Sequence, residues 1–171
     1  MGLNGRIILR QPSSMAAGQR EEFARLVRKG FRTAGADLDA RICAAKCLAL
    51  HYSADAELTA IAALKAPVYR YRHNVFTTAG SHASCADYKV ELGWVYVEPA
   101  DRRTQIATNL CEQLLASVAR DFVFATTRTD NAAMSRILRR CAFSEVGEPF
   151  MHRGEPLRLY LRPCQITSGR F

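Results

Sequence analysis

Nowhere in these 171 residues does an apolar run approach the roughly 20 that cross a bilayer, so no membrane-spanning helix and no membrane partner is expected. The opening stretch MGLNGRIILRQPSS lacks the apolar segment and cleavage site of a secretory signal. It begins Met1-Gly2, but Arg6 stands where a myristoylation motif has Ser or Thr. These absences lead to the expectation of a soluble, cytoplasmic chain. Cysteine is present without a disulfide pattern: Cys43, Cys47, Cys85, Cys111, Cys141 and Cys164 are scattered, several on apolar faces, and read as buried reduced thiols. Cys43, Cys47 and His51 would share one face of a continuous helix, as zinc ligands can. However, CLALHYS reads as a strand and a fourth ligand is missing, so no metal is expected. No repeat, linker or low-complexity tract divides the sequence, and a single domain over 1–171 follows from its length and 49% hydrophobic content.

Charge is the strongest compositional bias. The formal net charge is +8, carried by arginine far more than lysine. Arginine suits bidentate phosphate recognition, which points to an acidic ligand or to nucleic acid. The charges are spread along the chain instead of forming a tail, and neither an aromatic RNA-binding signature nor zinc-finger spacing occurs, so nucleic acid is the weaker of the two.

Periodicity orders the elements. RIILRQP is a short strand. SMAAGQREEFARLVRKGF is an amphipathic helix with Phe23, Leu26, Val27 and Phe31 inward, and GADLDARICAAK is a second, short helix capped by Asp37. CLALHYS and AELTAIAALKA form an antiparallel hairpin. Residues 67–88 have no clean period and read as a loop or short helix. KVELGWVYV is the strongest strand, and Pro99 stops it. A helix follows with Ile106, Leu110, Leu114, Leu115 and Val118 on one face. Then come the strand DFVFATT and the helix DNAAMSRILRRCAF, started by Asp130 or Asn131, with Met134, Ile137, Leu138 and Cys141 inward. SEVGEPF and PLRLYLRP close the chain as two strands. This order gives an α/β fold, a mixed central sheet of about seven strands flanked by about four helices.

The stretch VEPADRRTQIATNLCEQLL, residues 97–115, is a strand end, a basic turn without glycine, and a helix start. Helix N-termini carry unpaired amides and partial positive charge, so they hold phosphate whatever their side chains. Glycine is needed only where φ is positive or the ligand approaches closely. A turn already in right-handed geometry exposes the amides of Arg103, Thr104, Gln105, Ile106 and Ala107. Ala107 leaves room for a pyrophosphate, and Arg102 and Arg103 add charge.

Val97, Pro99, Arg102, Ala107 and Leu110 in this stretch, with Gln105 where the middle glycine stands, resemble the phosphate-binding motif of the GNAT superfamily of acyl-CoA-dependent N-acyltransferases. NAAMSRILRRCAF resembles the same family's Asn-x-x-Ala-x-x-Leu-Tyr-x-Lys-x-Gly-Phe helix at Asn131, Ile137, Arg140 and Phe143, and departs from it at Met134, Leu138 and Ala142. The element order fits along essentially the whole chain. The resemblance implies a GNAT-like single-domain fold and acetyl-CoA as cosubstrate. It implies transfer of the acetyl group to a primary amine, on a small molecule or on a protein or peptide, by direct attack in a ternary complex. It also implies that the backbone of Val95, Tyr96 and Val97 supplies the oxyanion donor where the strand splays from its neighbour. Asn131 would hold the pantetheine arm or the backbone framing it, and is equally a helix cap.

Acetyl transfer to an amine needs a base, an oxyanion donor and tolerance of a departing thiolate. Glu91, entering an apolar strand beside Trp94, is the candidate base, and it matches the position of the glutamate in histone-type members of the family. The alternative is a strand-end carboxylate facing water, and Asp87, Glu98 and His82 are further candidates. The family's leaving-group tyrosine falls at Leu138, which has no proton to give. Ser135 and Cys141 lie a turn either side, and Tyr160 or water remain. Tyr69, Arg70, Tyr71, Arg72 and His73 would line the acceptor side or simply pack a solvated loop. A catalytically weak or inactive acyl-CoA-binding protein, or a nucleic-acid-interacting one, is the rival reading. A homodimer is compatible with all of these, though no residue compels it.

Overall fold

The computed structural model describes residues 5–32 and 35–165, and the Met1-Gly2 opening lies outside them. The strands are β1 (Arg6–Arg10), β2 (Cys47–Tyr52), β3 (Leu58–Lys65), β4 (Val90–Val97), β5 (Val123–Arg128), β6 (Ser144–His152) and β7 (Glu155–Arg162). The helices are α1 (Ala17–Gly30), α2 (Leu38–Cys43), α3 (Tyr69–Thr78), α4 (Ile106–Ala116) and α5 (Ala132–Arg140). The strands hydrogen-bond in the order β1-β2-β3-β4-β5-β7-β6, a seven-stranded mixed sheet. Five helices stand where about four were expected. The extra one is α3, inside the stretch without a clean period. Its Tyr, His, Asn, Val, Phe and Thr residues are indifferent helix formers, and Arg72 falls among its buried positions, which blurs the stripe.

Two compact units make up the chain: Met1–Ala66 with Leu92–Leu114, and Pro67–Glu91 with Leu115–Phe171. The strand β4 passes from the second to the first at Glu91–Leu92.

In the first unit β1, β2 and β3 pair antiparallel, Ile8 opposite Leu50 and Leu50 opposite Ile61. The helix α1 turns Phe23, Leu26 and Val27 inward, spaced to share one face. They pack with Leu38 and Ile42 of α2, Leu48, Leu50, Ile61, Trp94 and Tyr96, and Phe31 lies partly buried against the cluster. Each such large apolar side chain contributes about 1.5–3 kcal/mol on burial. Asp37 does stand at the start of α2, but its side chain makes no cap bond and pairs with Arg41 instead, 3.2 Å away. Trp94 has φ +50 in the middle of β4. A bulky residue in the left-handed region inside a strand is the geometry of a bulge, which re-aims the residues after it. Its ring meets Phe23 edge-on at 6.2 Å, with Arg41 and Lys65 near its faces.

In the second unit β5 pairs antiparallel with β7, and β7 with β6. The parallel ladder between β4 and β5 takes in Val90↔Val123 and Glu91↔Phe124, while β4 itself runs on to Val97. The core joins Val75, Phe76 and Ala79 of α3 to Tyr88, Phe124, Phe150, Leu159 and Leu161. Leu138 is fully buried and Cys141 buried, whereas Met134 and Ile137 are half-buried, not fully inward. The register of β6 shifts between Val146 and Phe150, where Gly147 has φ +70. There Glu148 donates its N–H to the Ala79 carbonyl, tying the end of α3 to the strand.

Candidate functional site

The basic turn differs from expectation in one respect that answers how it manages without glycine. Arg103 is not right-handed: its φ is +64, so a left-handed residue is present and an arginine supplies it. Pro99–Asp101 forms a single 3-10 turn, and α4 begins at Ile106. Thr104 Oγ1 donates to the Asp101 carbonyl at 2.6 Å and accepts from the Ile106 N–H at 3.4 Å. The first helical bond runs from the Asn109 N–H to the Gln105 carbonyl. The amides of the first turn are therefore those of Ile106, which already meets Thr104 Oγ1, Ala107 and Thr108, a set displaced along the chain from the expected Arg103 to Ala107. Gln105 is exposed and Ala107 half-buried, so the side chain of Gln105 is not packed into the protein.

Arg102 behaves differently from a free phosphate ligand. Its Nε donates to the Val97 carbonyl at 3.0 Å, and its guanidinium lies 5.8 Å from the centre of the Tyr96 ring. Tyr96 in turn donates its hydroxyl to Glu98, which also receives two hydrogen bonds from Lys29 at 2.7 and 2.9 Å. Glu98 is thus a clamp on the end of β4, and the Lys29 hydrogen bond holds its carboxyl below the ordinary range. A depressed carboxylate contributes stability above its unfolded-state pKa and loses it as pH falls through the folded value. In Lys29→Met, the urea midpoint should fall below wild type at neutral pH and converge with it only once acid has protonated Glu98 in the folded protein.

Glu91 sits in the second unit, 2% exposed. The Trp94 ring lies in the first unit's core. Glu91 meets the Tyr71 hydroxyl, from α3, and the Thr126 hydroxyl, from β5, both donating to Oε1 at 3.4 Å. Burial first, and then the charge of Glu91, hold the Tyr71 phenol above its ordinary range, so it stays protonated and able to donate. The other face of Tyr71 meets His152 edge-on at 5.7 Å. Of the other candidate bases, His82 and Asp87 are exposed and Glu98 is committed to Lys29.

Asn131 caps α5, its side-chain oxygen accepting from the Met134 N–H at 3.0 Å. Leu138, where the resemblance expects a tyrosine, is fully buried. Tyr160 is fully buried, donating its hydroxyl to Ser135 at 3.0 Å and approaching Glu145 at 3.3 Å; Glu145 is gripped by Arg139 and Arg158. On the expected acceptor side, Arg72 is turned inward, donating to the carbonyls of Cys85 and Tyr88. Val68, Arg70, Tyr71, His73 and Asn74 line a groove of ≈ 500 Å³. No signal in the sequence pointed to Tyr71 and Thr126 as the partners of Glu91; only the packing of α3 and β5 brings them there.

Val95, Tyr96, Val97 and Arg102 to Ala107 thus fall in the first unit, and Glu91 and Asn131 in the second. Cys43 ends α2, while Cys47 and His51 lie on β2, with the His51 ring 2.9 Å from Thr59 Oγ1. Among the described residues no three His, Cys, Asp or Glu side chains are grouped to hold a metal, and no helix is long and apolar enough to cross a membrane.

No protein-family model matches the sequence, and no curated protein matches it. Solved structures do. An acyl-CoA N-acyltransferase from Pseudomonas aeruginosa superposes with a TM-score of 0.69 at 16% identity, over 92% of this chain and 99% of that one. Escherichia coli ElaA gives 0.68 at 17% identity, over 92% and 99%. The yncA protein of Salmonella typhimurium, solved with its cofactor acetyl-CoA, gives 0.62 at 16% identity, over 98% of both chains. At such identities the likeness speaks for architecture, and this chain has the GNAT fold of the acyl-CoA N-acyltransferases.

Proposed function

We propose that this protein is an N-acetyltransferase that moves the acetyl group of acetyl-CoA to a primary amine by direct attack in a ternary complex. The observation that carries the reading is the start of α4. There the amides of Ile106, Ala107 and Thr108 stand at the positive end of a helix, beside the smallest chiral side chain and behind an exposed Gln105. The likeness in fold to a structure holding acetyl-CoA supports the choice of donor. Arg103 adds charge at that turn, and Arg102 would do so on leaving Val97.

The base is Glu91. The neutral amine attacks the thioester carbonyl, and the carboxylate, shut away from water and held by hydroxyl donors, takes the proton that the nitrogen sheds as the C–N bond forms. Carbonyl oxygen charge falls to a backbone N–H of Val95–Val97 on the same strand. The C–N bond forms, the C–S bond breaks, and the sulfur leaves as thiolate. Since Leu138 offers no proton, water protonates it. The acceptor reaches Glu91 past Tyr71 and the groove at the N-terminal end of α3.

Thiol release from acetyl-CoA with a panel of primary amines, beside calorimetry with coenzyme A, tests this. Saturation near 100 times Kd stabilises by about 2.7 kcal/mol, so the melting point should rise by several degrees. Ala107→Leu keeps helix propensity but fills the space over the amides, and should weaken coenzyme A binding about tenfold, which is about 1.4 kcal/mol. An unmoved melting point at saturating acetyl-CoA removes the proposal. The buried Leu138 favours a second reading, a protein that binds acyl-CoA without turning it over. Binding without thiol release from any amine would select it.

A further inference from the structure

Glu91 lies near the start of β4 with its carboxylate buried. Two hydroxyls from separate elements converge on one of its oxygens: Tyr71 from α3 and Thr126 from β5, each 3.4 Å from Oε1. Tyr71 is itself held in place. Its ring is braced edge-on by His152, and the next residue, Arg72, anchors α3 through the carbonyls of Cys85 and Tyr88.

We propose that Tyr71 is a positioning residue for this reaction, its hydroxyl orienting the Glu91 carboxylate for proton abstraction, with Thr126 as a second, weaker guide. The inference rests on Glu91 being the base. Hydrogen bonds of 3.4 Å are long for O–H···O, and those at catalytic groups commonly shorten once substrate is bound. Tyr71 suits the task because a phenol next to a carboxylate, in a dry setting, does not itself ionise: burial and the Glu91 charge both resist it. It therefore offers a donor that persists across the working pH range. Among the described residues, His152 of β6 and Arg153 at the β6–β7 turn are charged or titratable groups that face Tyr71; Arg153 opposes the effect of Glu91 on the phenol.

The test uses the full chain with the tyrosines carrying a carbon-13 label at Cζ. Tyr71→Phe identifies the Tyr71 resonance and leaves the ring, and so the packing, in place. Glu91→Gln should displace that resonance, because the acceptor of its hydroxyl loses its charge; this arm needs no amine at all. In thiol-release kinetics with any amine that turns over, Tyr71→Phe should lower kcat about tenfold and leave the KM for acetyl-CoA unchanged. Thr126→Val should give a smaller loss of the same kind. A Tyr71 resonance indifferent to Glu91→Gln, or a Phe variant at full kcat while Glu91→Gln is slow, overturns the proposal. Full rate in Glu91→Gln is a different outcome, which removes the base assignment first.

Discussion

Glu91→Gln should slow amine acetylation by about a hundredfold or more while coenzyme A affinity stays within error. The two halves of the expectation have separate causes. Glutamine keeps the shape and can still accept from Tyr71 and Thr126, both within 3.4 Å of Oε1, so the fold loses little. It cannot accept the proton that the nitrogen sheds, and general-base catalysis is worth roughly 10²–10⁴ in rate. Coenzyme A affinity is expected to stay because the amides proposed to hold its phosphates begin at Ile106, fifteen positions further along the chain. Turnover with kcat and its pH dependence, alongside calorimetry, measures both. Full activity at every pH would falsify the assignment.

Gly147→Ala should cost about 2–3 kcal/mol of stability, read as a lower urea midpoint with unchanged slope. Gly147 has φ +70, where a side chain is strained, and a Cβ there would stand 1.9 Å from the Ala79 carbonyl oxygen. No side chain can give way, because the clash is with backbone. That carbonyl already accepts from the Glu148 N–H at 2.9 Å, so α3 or β6 must move and the hydrogen bond stretches. Left-handed strain of about 1–2 kcal/mol and a weakened hydrogen bond of about 1 kcal/mol make up the figure. The strain also reaches α3, which carries Tyr71, so activity should fall before the variant unfolds. A midpoint equal to wild type would mean that the end of α3 does not abut the β6 bulge.

What could be read from the residues was everything that depends on local period. Phe23, Leu26 and Val27 announce a helix face, the Val- and Tyr-rich run ending at Pro99 announces β4, and Ile106, Leu110 and Leu114 announce α4. Each stripe has to be buried somewhere, so its element forms wherever it goes. At α3 the same logic left a loop and a short helix both open, and the helix is what forms. Its buried positions include Arg72, whose guanidinium is satisfied by the carbonyls of Cys85 and Tyr88, and those partners cannot be inferred without the fold.

The turn before α4, proposed to hold phosphate, was legible by its strand–turn–helix type and not by its detail. Its strand–turn–helix order and the small Ala107 are local facts. Whether a residue takes positive φ without being glycine depends on how the turn closes, and Arg103 does so here. The resting place of Arg102, on the Val97 carbonyl and the Tyr96 ring, was equally out of reach, because a long side chain is placed by whatever surface lies beneath it. By itself, then, the sequence determined the order of elements, the buried stripes and a carboxylate at the head of the strongest strand. Only the tertiary structure decided that this carboxylate is dry and meets hydroxyls 20 and 35 residues away. Pairing across such separations is set by which faces pack together, and no short-range pattern encodes that.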